Sequence, residues 1–254
     1  MRFFYYIFLV GAIIFQTATS SLAGSGGAGG GGEITVAVAS NALRPVKEIA
    51  RAFEETAGVK VIIVHGSTGK LFTQIVQGAP FDVFLAADSE RPGLLIAKGL
   101  AVRGSRFVYA RGLLALWRVS ESGGGGLASL KESGVTRVAV ANPRTAPYGA
   151  SAVEALRSAG VYDLVEAKLV YGANVSQALS FARTGNADAA IVATSTVYDE
   201  PGFAELVDRR YYQPIKQEAV LLKGASAGGA SKFLQFTKGE SALLIFKKYG
   251  YAAD

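Results

Sequence analysis

The chain of 254 residues contains no cysteine and a single histidine. Without cysteine there is no disulfide, no thiol nucleophile, no thiolate zinc site and no residue to carry the lipid anchor of a bacterial lipoprotein. His65 is the only imidazole. A multi-histidine metal centre is therefore excluded, and Ser–His–Asp chemistry would rest on that one side chain. Charge of one sign is nowhere concentrated. Lys and Arg number 26 against 20 Asp and Glu, a formal +6, and the two signs are interspersed with no basic run or basic-aromatic stripe. Nucleic acid is not an expected partner. Long apolar runs are scarce too: the one near-continuous run, residues 3–15, is too short to cross a bilayer.

What is present at the N-terminus reads as an export signal. Met1-Arg2 is a short positive start, residues 3–15 are the apolar stretch, and Ser21-Leu22-Ala23 is a small-x-small cleavage site. Residues 1–23 thus have the pattern of a cleavable secretory signal peptide, and a periplasmic location is expected. Residues 24–32, GSGGAGGGG, follow as a Gly-rich flexible tether with no side chains to pack. The folded body is expected to begin at Glu33. Half of the residues are apolar, enough for one large or two small cores.

From there strands and helices alternate. Strands are predicted over 34–39, 59–64, 83–86, 113–118, 138–141, 169–171, 189–193 and 217–222. Helices are predicted over 45–57, 70–77, 92–98, 149–159, 175–183, 228–236 and 241–248. Several helices stop at a glycine: Gly58, Gly78, Gly99 and Gly160. Such alternation with short turns means an α/β protein with parallel sheets. A strand, an anion-type loop and a helix occur in that order twice before residue 112 and twice after 138. Two similar lobes facing each other are expected, residues 33–112 plus 222–254 forming lobe 1 and 113–221 lobe 2. The last helices would return to the first lobe, so the chain would cross between lobes twice.

The stretch VHGSTGKLFTQI, residues 64–75, has the glycines, hydroxyls and lysine of a phosphate loop. It is not a Walker A loop. Val64 stands where the first glycine belongs, and Leu71 stands where magnesium needs Ser or Thr. What remains is a strand, Gly66-Ser67-Thr68-Gly69, and a helix start with unpaired N–H groups and the positive end of a helix dipole. Taken alone, it reads more simply as N-capping by Ser67 or Thr68. The arrangement recurs, however, at Ser40-Asn41, at Pro147-Tyr148-Gly149 and at Ala173-Asn174-Val175. Ligands of parallel α/β sheets sit where strands end and helices begin. Four such starts would converge on one cleft if the lobes face each other.

The candidate contributors are Ser40, Asn41, Ser67, Thr68 and the backbone N–H groups near Tyr148 and Val175. All are neutral donors. A protonated oxyanion would turn its hydroxyl towards a donor, at a cost of about 1–3 kcal/mol. Fully ionised tetrahedral dianions are therefore favoured: sulfate, molybdate or tungstate. Each charge-assisted bond contributes roughly 1.5–3 kcal/mol, and four to seven of them would support about micromolar binding or better.

From about Glu33 to Tyr251 the chain resembles the periplasmic molybdate-binding proteins of ABC importers. The most specific stretch is GSTGKLFTQIVQGAPFDVFLAADSERP. NPRTAPYGASAVEAL, ANVSQALSFARTGNADAAIV and the terminal FKKYGY add to it. The resemblance implies a two-lobed periplasmic-binding-protein fold (type II), each lobe a mostly parallel sheet flanked by helices, with the ligand in the interlobe cleft. It implies capture of molybdate or tungstate and delivery to a membrane permease driven by an ATPase, with no cofactor, by a monomer that is not an enzyme. Its contacts fall on Ser40, Asn41, Thr68, and the backbone N–H groups of Tyr148 and Val175, with Ser67 as a second choice. Some relatives have serine where this chain has Asn41, whose amide can still donate. Some offer a tyrosine hydroxyl where this chain has Ala193, which cannot.

Other residues carry plainer readings. Lys70 is expected to face solvent and His65 to be a packed or rim residue. Asp82 and Asp88 would be structural caps or lobe contacts, and Trp117 core. Sulfate is the rival ligand, distinguishable by size. An exported α/β hydrolase is the remote rival; it lacks a Gly-x-Ser-x-Gly elbow.

Overall fold

The computed structural model describes residues 32–120, 125–225 and 228–252. The expected signal segment 1–23 lies outside them, as does the tether apart from Gly32.

Two five-stranded sheets organise the described residues. The first begins with β1 (Glu33–Ala39), α1 (Leu43–Ala57), β2 (Lys60–Gly66), α2 (Thr68–Val76), β3 (Val83–Leu85), α3 (Glu90–Ala97) and β4 (Phe107–Gly112). The second is built from β5 (Leu114–Arg118), β6 (Val138–Ala141), α4 (Pro147–Ser158), α5 (Tyr162–Val165), β7 (Leu169–Gly172), α6 (Val175–Arg183), β8 (Ala189–Ala193), α7 (Thr194–Val197) and β9 (Phe203–Leu206). The chain then returns through β10 (Ile215–Leu221) to α8 (Gly229–Phe236) and α9 (Glu240–Lys248). The strand orders are β2-β1-β3-β10-β4 and β7-β6-β8-β5-β9. In each sheet four strands run in one direction and a single strand, β10 in the first and β5 in the second, runs against them.

Successive side chains of a strand point to opposite faces, and both faces of β1 are covered, which explains the unbroken apolar run Val36–Ala39. Ile34, Val36 and Val38 pack on Val46, Ile49 and Phe53 of α1, with Phe233 and Phe246 of α8 and α9 in the same core. Ala37 points the other way, into a layer with Leu71, Ile75 and Leu95 from α2 and α3. In the second sheet Val138 and Val140 face Ala152 and Leu156 of α4. Ala139 faces Trp117 and the α6 residues Ala178, Leu179 and Ala182. Gly58 ends α1 in the left-handed region at φ 63°, as its position in the sequence requires.

The two passages between sheets lie side by side. The first is at Leu113, between β4 and β5. The second precedes β10, where Ile215 pairs with Gly112, and the Leu114 N–H donates to the Tyr212 hydroxyl at 3.1 Å. Because β10 is hydrogen-bonded to β3 and β4, sheet pairing groups residues 215–221 with the first lobe, ahead of the 221/222 boundary expected from the sequence. The pairing partner of a returning strand is not readable from the strand itself. Strands β4 and β9, the short helices α5 and α7, and a 3₁₀ segment over Gly126–Lys131 were not predicted. β4 and β9 are edge strands, each paired with a single antiparallel neighbour, so neither has the buried apolar run that marks the central strands.

α4 starts close against the end of β6. A Cβ on Gly149 would lie 2.1 Å from the Ala141 carbonyl oxygen. Gly149→Ala is expected to destabilise the protein by about 1–3 kcal/mol through overpacking, measurable by chemical denaturation; an unchanged midpoint would contradict this packing.

Candidate oxyanion site

Six residues singled out in the sequence, Ser40, Asn41, Ser67, Thr68, Tyr148 and Val175, line one cavity between the two lobes. Ala39, Gly66, Ala87, Ala146 and Pro147 complete the wall. No acidic, basic or histidine side chain is among them. The cavity is small, about 10 Å³, against about 650 Å³ for the adjoining groove that shares Ala87, Ala146 and Pro147 with it. It has room for a small ion rather than an extended organic solute.

The helix starts deliver their donors selectively. α2 begins after Ser67, whose side chain makes no capping hydrogen bond. Its hydroxyl is buried with no partner among the described residues, so N-capping does not account for it. The Thr68 hydroxyl oxygen accepts from the Ala87 N–H at 3.1 Å, so its own proton remains to be donated. α6 is capped by Asn174, whose side chain accepts from the Gln177 N–H at 3.1 Å. That cap serves the third helical residue and leaves the Val175 N–H at the first position. In α4 the first position is Pro147, which has no N–H, and the Tyr148 N–H follows at the cavity wall.

Asn41 corrects a sequence expectation. Its side-chain amide does not serve the cavity: Nδ2 donates to the Gln217 Oε1 at 2.7 Å and to the Tyr251 hydroxyl at 2.9 Å. Its side chain engaged there, Asn41 has only its backbone left to offer a ligand, within the 3₁₀ turn Ser40–Ala42 that follows β1. Ala193 is fully buried in β8 and absent from the cavity wall, so no donor comes from that position. His65 and Lys70 are both exposed and away from the wall. Asp82 accepts the Thr35 N–H at 2.6 Å. Asp88 pairs with Arg91 and accepts its N–H at 3.0 Å at the start of α3; burial nonetheless raises its pKa. Both carboxylates are thus structural, as expected.

Behind the cavity lies a polar cluster that sequence reasoning missed: Tyr109, Gln217, Tyr251 and Ser195. Gln217 was legible in principle. It falls between buried Ile215 and Ala219 on the inward side of β10, where a polar residue calls for partners. The phenols of Tyr109, Tyr148 and Tyr251 are held well above the usual tyrosine range, chiefly by burial, and stay neutral at physiological pH.

The lobes meet across this cavity. The Gly69 N–H donates to the Thr145 carbonyl at 2.8 Å, and the Ser195 hydroxyl to the Asn41 carbonyl at 2.8 Å. Two facing α/β lobes, closed around a donor-lined space for one small ion, define the class of two-lobed solute-binding proteins. Comparison with known proteins agrees. The chain belongs to the family of bacterial extracellular solute-binding proteins, whose model matches residues 34–252. It is 43% identical over 240 residues to the molybdate-binding protein ModA of Rhodobacter capsulatus, covering 94% of this chain and 95% of that one. It is 43% identical over 229 residues to ModA of Azotobacter vinelandii, covering 86% and 89%. The solved Azotobacter vinelandii periplasmic molybdate-binding protein superposes with a TM-score of 0.83 at 34% identity, over 87% of this chain and 99% of that one.

The unpartnered Ser67 hydroxyl generates a test. Ser67→Ala removes a buried polar group that has no protein partner, so ligand-free stability is expected to hold or rise. Affinity for a tetrahedral dianion is expected to fall roughly tenfold or more, the loss of one charge-assisted bond. Calorimetric titration beside a melting curve reads both; unchanged affinity would remove Ser67 from the site.

Proposed function

We propose that this protein captures molybdate in the interlobe cavity, by the Ser40, Ser67 and Thr68 hydroxyls and the backbone N–H groups of Asn41, Thr68, Tyr148 and Val175, and delivers it to an ABC importer. The observation that carries the reading is a wall of neutral donors, drawn from both lobes, with no side-chain cation. An ion that keeps a proton finds a poor match there, and one that is fully ionised finds a donor at every wall. The molybdate-binding names of the 43%-identical relatives support the choice of ion. Tungstate, with the same charge and shape, is the expected second ligand.

The protein is a binding protein and not an enzyme, as its family is. Its partners are then a membrane permease and the ATPase that drives it. We read residues 1–23 as the export signal and the mature protein as a periplasmic monomer. The hydrolase alternative has no support at the cavity, since His65 does not reach it.

Calorimetric titration of one preparation with molybdate, tungstate, sulfate and phosphate tests the reading. Molybdate and tungstate are expected to bind at about micromolar or tighter, and phosphate at least about tenfold more weakly because its proton faces a donor. A preference for sulfate or phosphate would overturn it. The pH profile is a second test. The cavity wall has no acidic, basic or histidine side chain, and the one phenol on it, Tyr148, has its pKa raised. Affinity is therefore expected to stay flat between about pH 6 and 9. A fall as pH rises through this window would mean that a phenol ionises near the ion, below its ordinary value of about 10.

A further inference from the structure

Gln217 is fully buried in β10, one of the two strands adjoining the passage between lobes, and does not line the cavity. Its carboxamide nevertheless joins both halves of the binding wall. Oε1 accepts from Asn41 Nδ2 at 2.7 Å and from the Tyr109 hydroxyl at 2.8 Å. Nε2 donates to the Tyr148 hydroxyl at 2.8 Å. Asn41 belongs to lobe 1 and Tyr148 to lobe 2, and each lines the cavity while its side chain bonds Gln217. The Tyr251 hydroxyl completes the first half by donating to the Asn41 carbonyl at 3.2 Å.

A second observation comes from Gly112, where the chain leaves lobe 1. A Cβ there would lie 1.9 Å from the Tyr148 hydroxyl oxygen and 2.6 Å from Gln217 Nε2. Its backbone is not in the left-handed region, so conformational freedom does not explain the glycine. The missing side chain makes room for the bond between Gln217 and Tyr148.

We propose that Gln217 is a positioning residue for anion capture: it locks the donors of the two lobes into the closed register without touching the ion. The proposal rests on the oxyanion reading above. Its physical basis is a population argument. The ion needs donors from both lobes at once, so its apparent affinity scales with the fraction of molecules in the closed arrangement. Opening the cleft carries Tyr148 away from β10 and breaks the Gln217 bond. A closed state without that bond leaves a buried carboxamide and a buried phenol short of a partner, which disfavours it.

Three variants test this. Tyr148→Phe deletes the hydroxyl and keeps the backbone N–H. Gly112→Ala fills the space from the other side. Gln217→Leu removes the link itself, and the first two keep the test decisive if this one fails to fold. Each is measured for molybdate affinity, molybdate release rate and ligand-free melting temperature. Tyr148→Phe is expected to weaken molybdate about tenfold, mainly through faster release, with the ligand-free melting temperature little changed; Gly112→Ala is expected to weaken it at least as much and, because its methyl crowds buried Tyr148, to lower the melting temperature more with molybdate than without. Affinity within twofold of the parent in both, or a melting loss equal with and without molybdate, would reduce Gln217 to packing and overturn the proposal. Failure of the parent protein itself to bind molybdate would instead overturn the oxyanion reading, and this inference with it.

Discussion

The constraint on which the rest depends is electrostatic: a doubly negative ion is to be held out of bulk water with no cation beside it. Only hydrogen-bond donors with no better partner can do that, and helix starts supply them, because the first N–H groups of a helix lack carbonyls to bond. The architecture follows from this need. Parallel strands end at Ala39, Gly66, Ala141 and Gly172, and helical turns begin within a few residues of each. Capping is arranged so that the useful groups stay unpaired. Asn174 caps α6 at its third residue, Pro147 makes the Tyr148 N–H the first of α4, and the Ser67 hydroxyl has no partner among the described residues.

A second consequence is that neither lobe can do the work alone. Ser40, Asn41, Ser67 and Thr68 come from one sheet and Tyr148 and Val175 from the other, so an ion held as proposed would complete the interface between them. The protein's own contacts across that interface are close-fitting. The Gly69–Thr145 and Ser195–Asn41 hydrogen bonds cross it, and a Cβ on Gly69 would come within 2.9 Å of the Thr145 carbonyl oxygen. Two adjacent passages of chain, at Leu113 and just before Ile215, allow a hinge without loss of register. The C-terminal segment reinforces the closed form, as Thr194 of the second lobe donates to the Gly250 carbonyl at 2.9 Å.

The central strands and the helices that follow them were legible because their period and their stops are local. The spans 138–141, 175–183 and 189–193 match the structure to the residue, and the six wall residues were readable as the positions after strand ends. What was not legible depends on partners distant in sequence. Nothing local places β10 beside β3 and β4 instead of in the second sheet. The Asn41 side chain looked like a donor for the ion because Gln217 and Tyr251, 176 and 210 residues away, are invisible from the Ser40-Asn41 turn. Ser67 is a case of the opposite kind. Its sequence position suggests a cap, and only the structure reveals a hydroxyl with nothing to bond.

The most direct measurement is anomalous diffraction from a crystal grown with molybdate, collected at the molybdenum edge. The account predicts one strong peak in the cavity, within reach of Ser67, Thr68 and the Val175 and Tyr148 N–H groups, with no lysine or arginine nitrogen in contact. A peak elsewhere, or one sitting against a basic side chain, would contradict it.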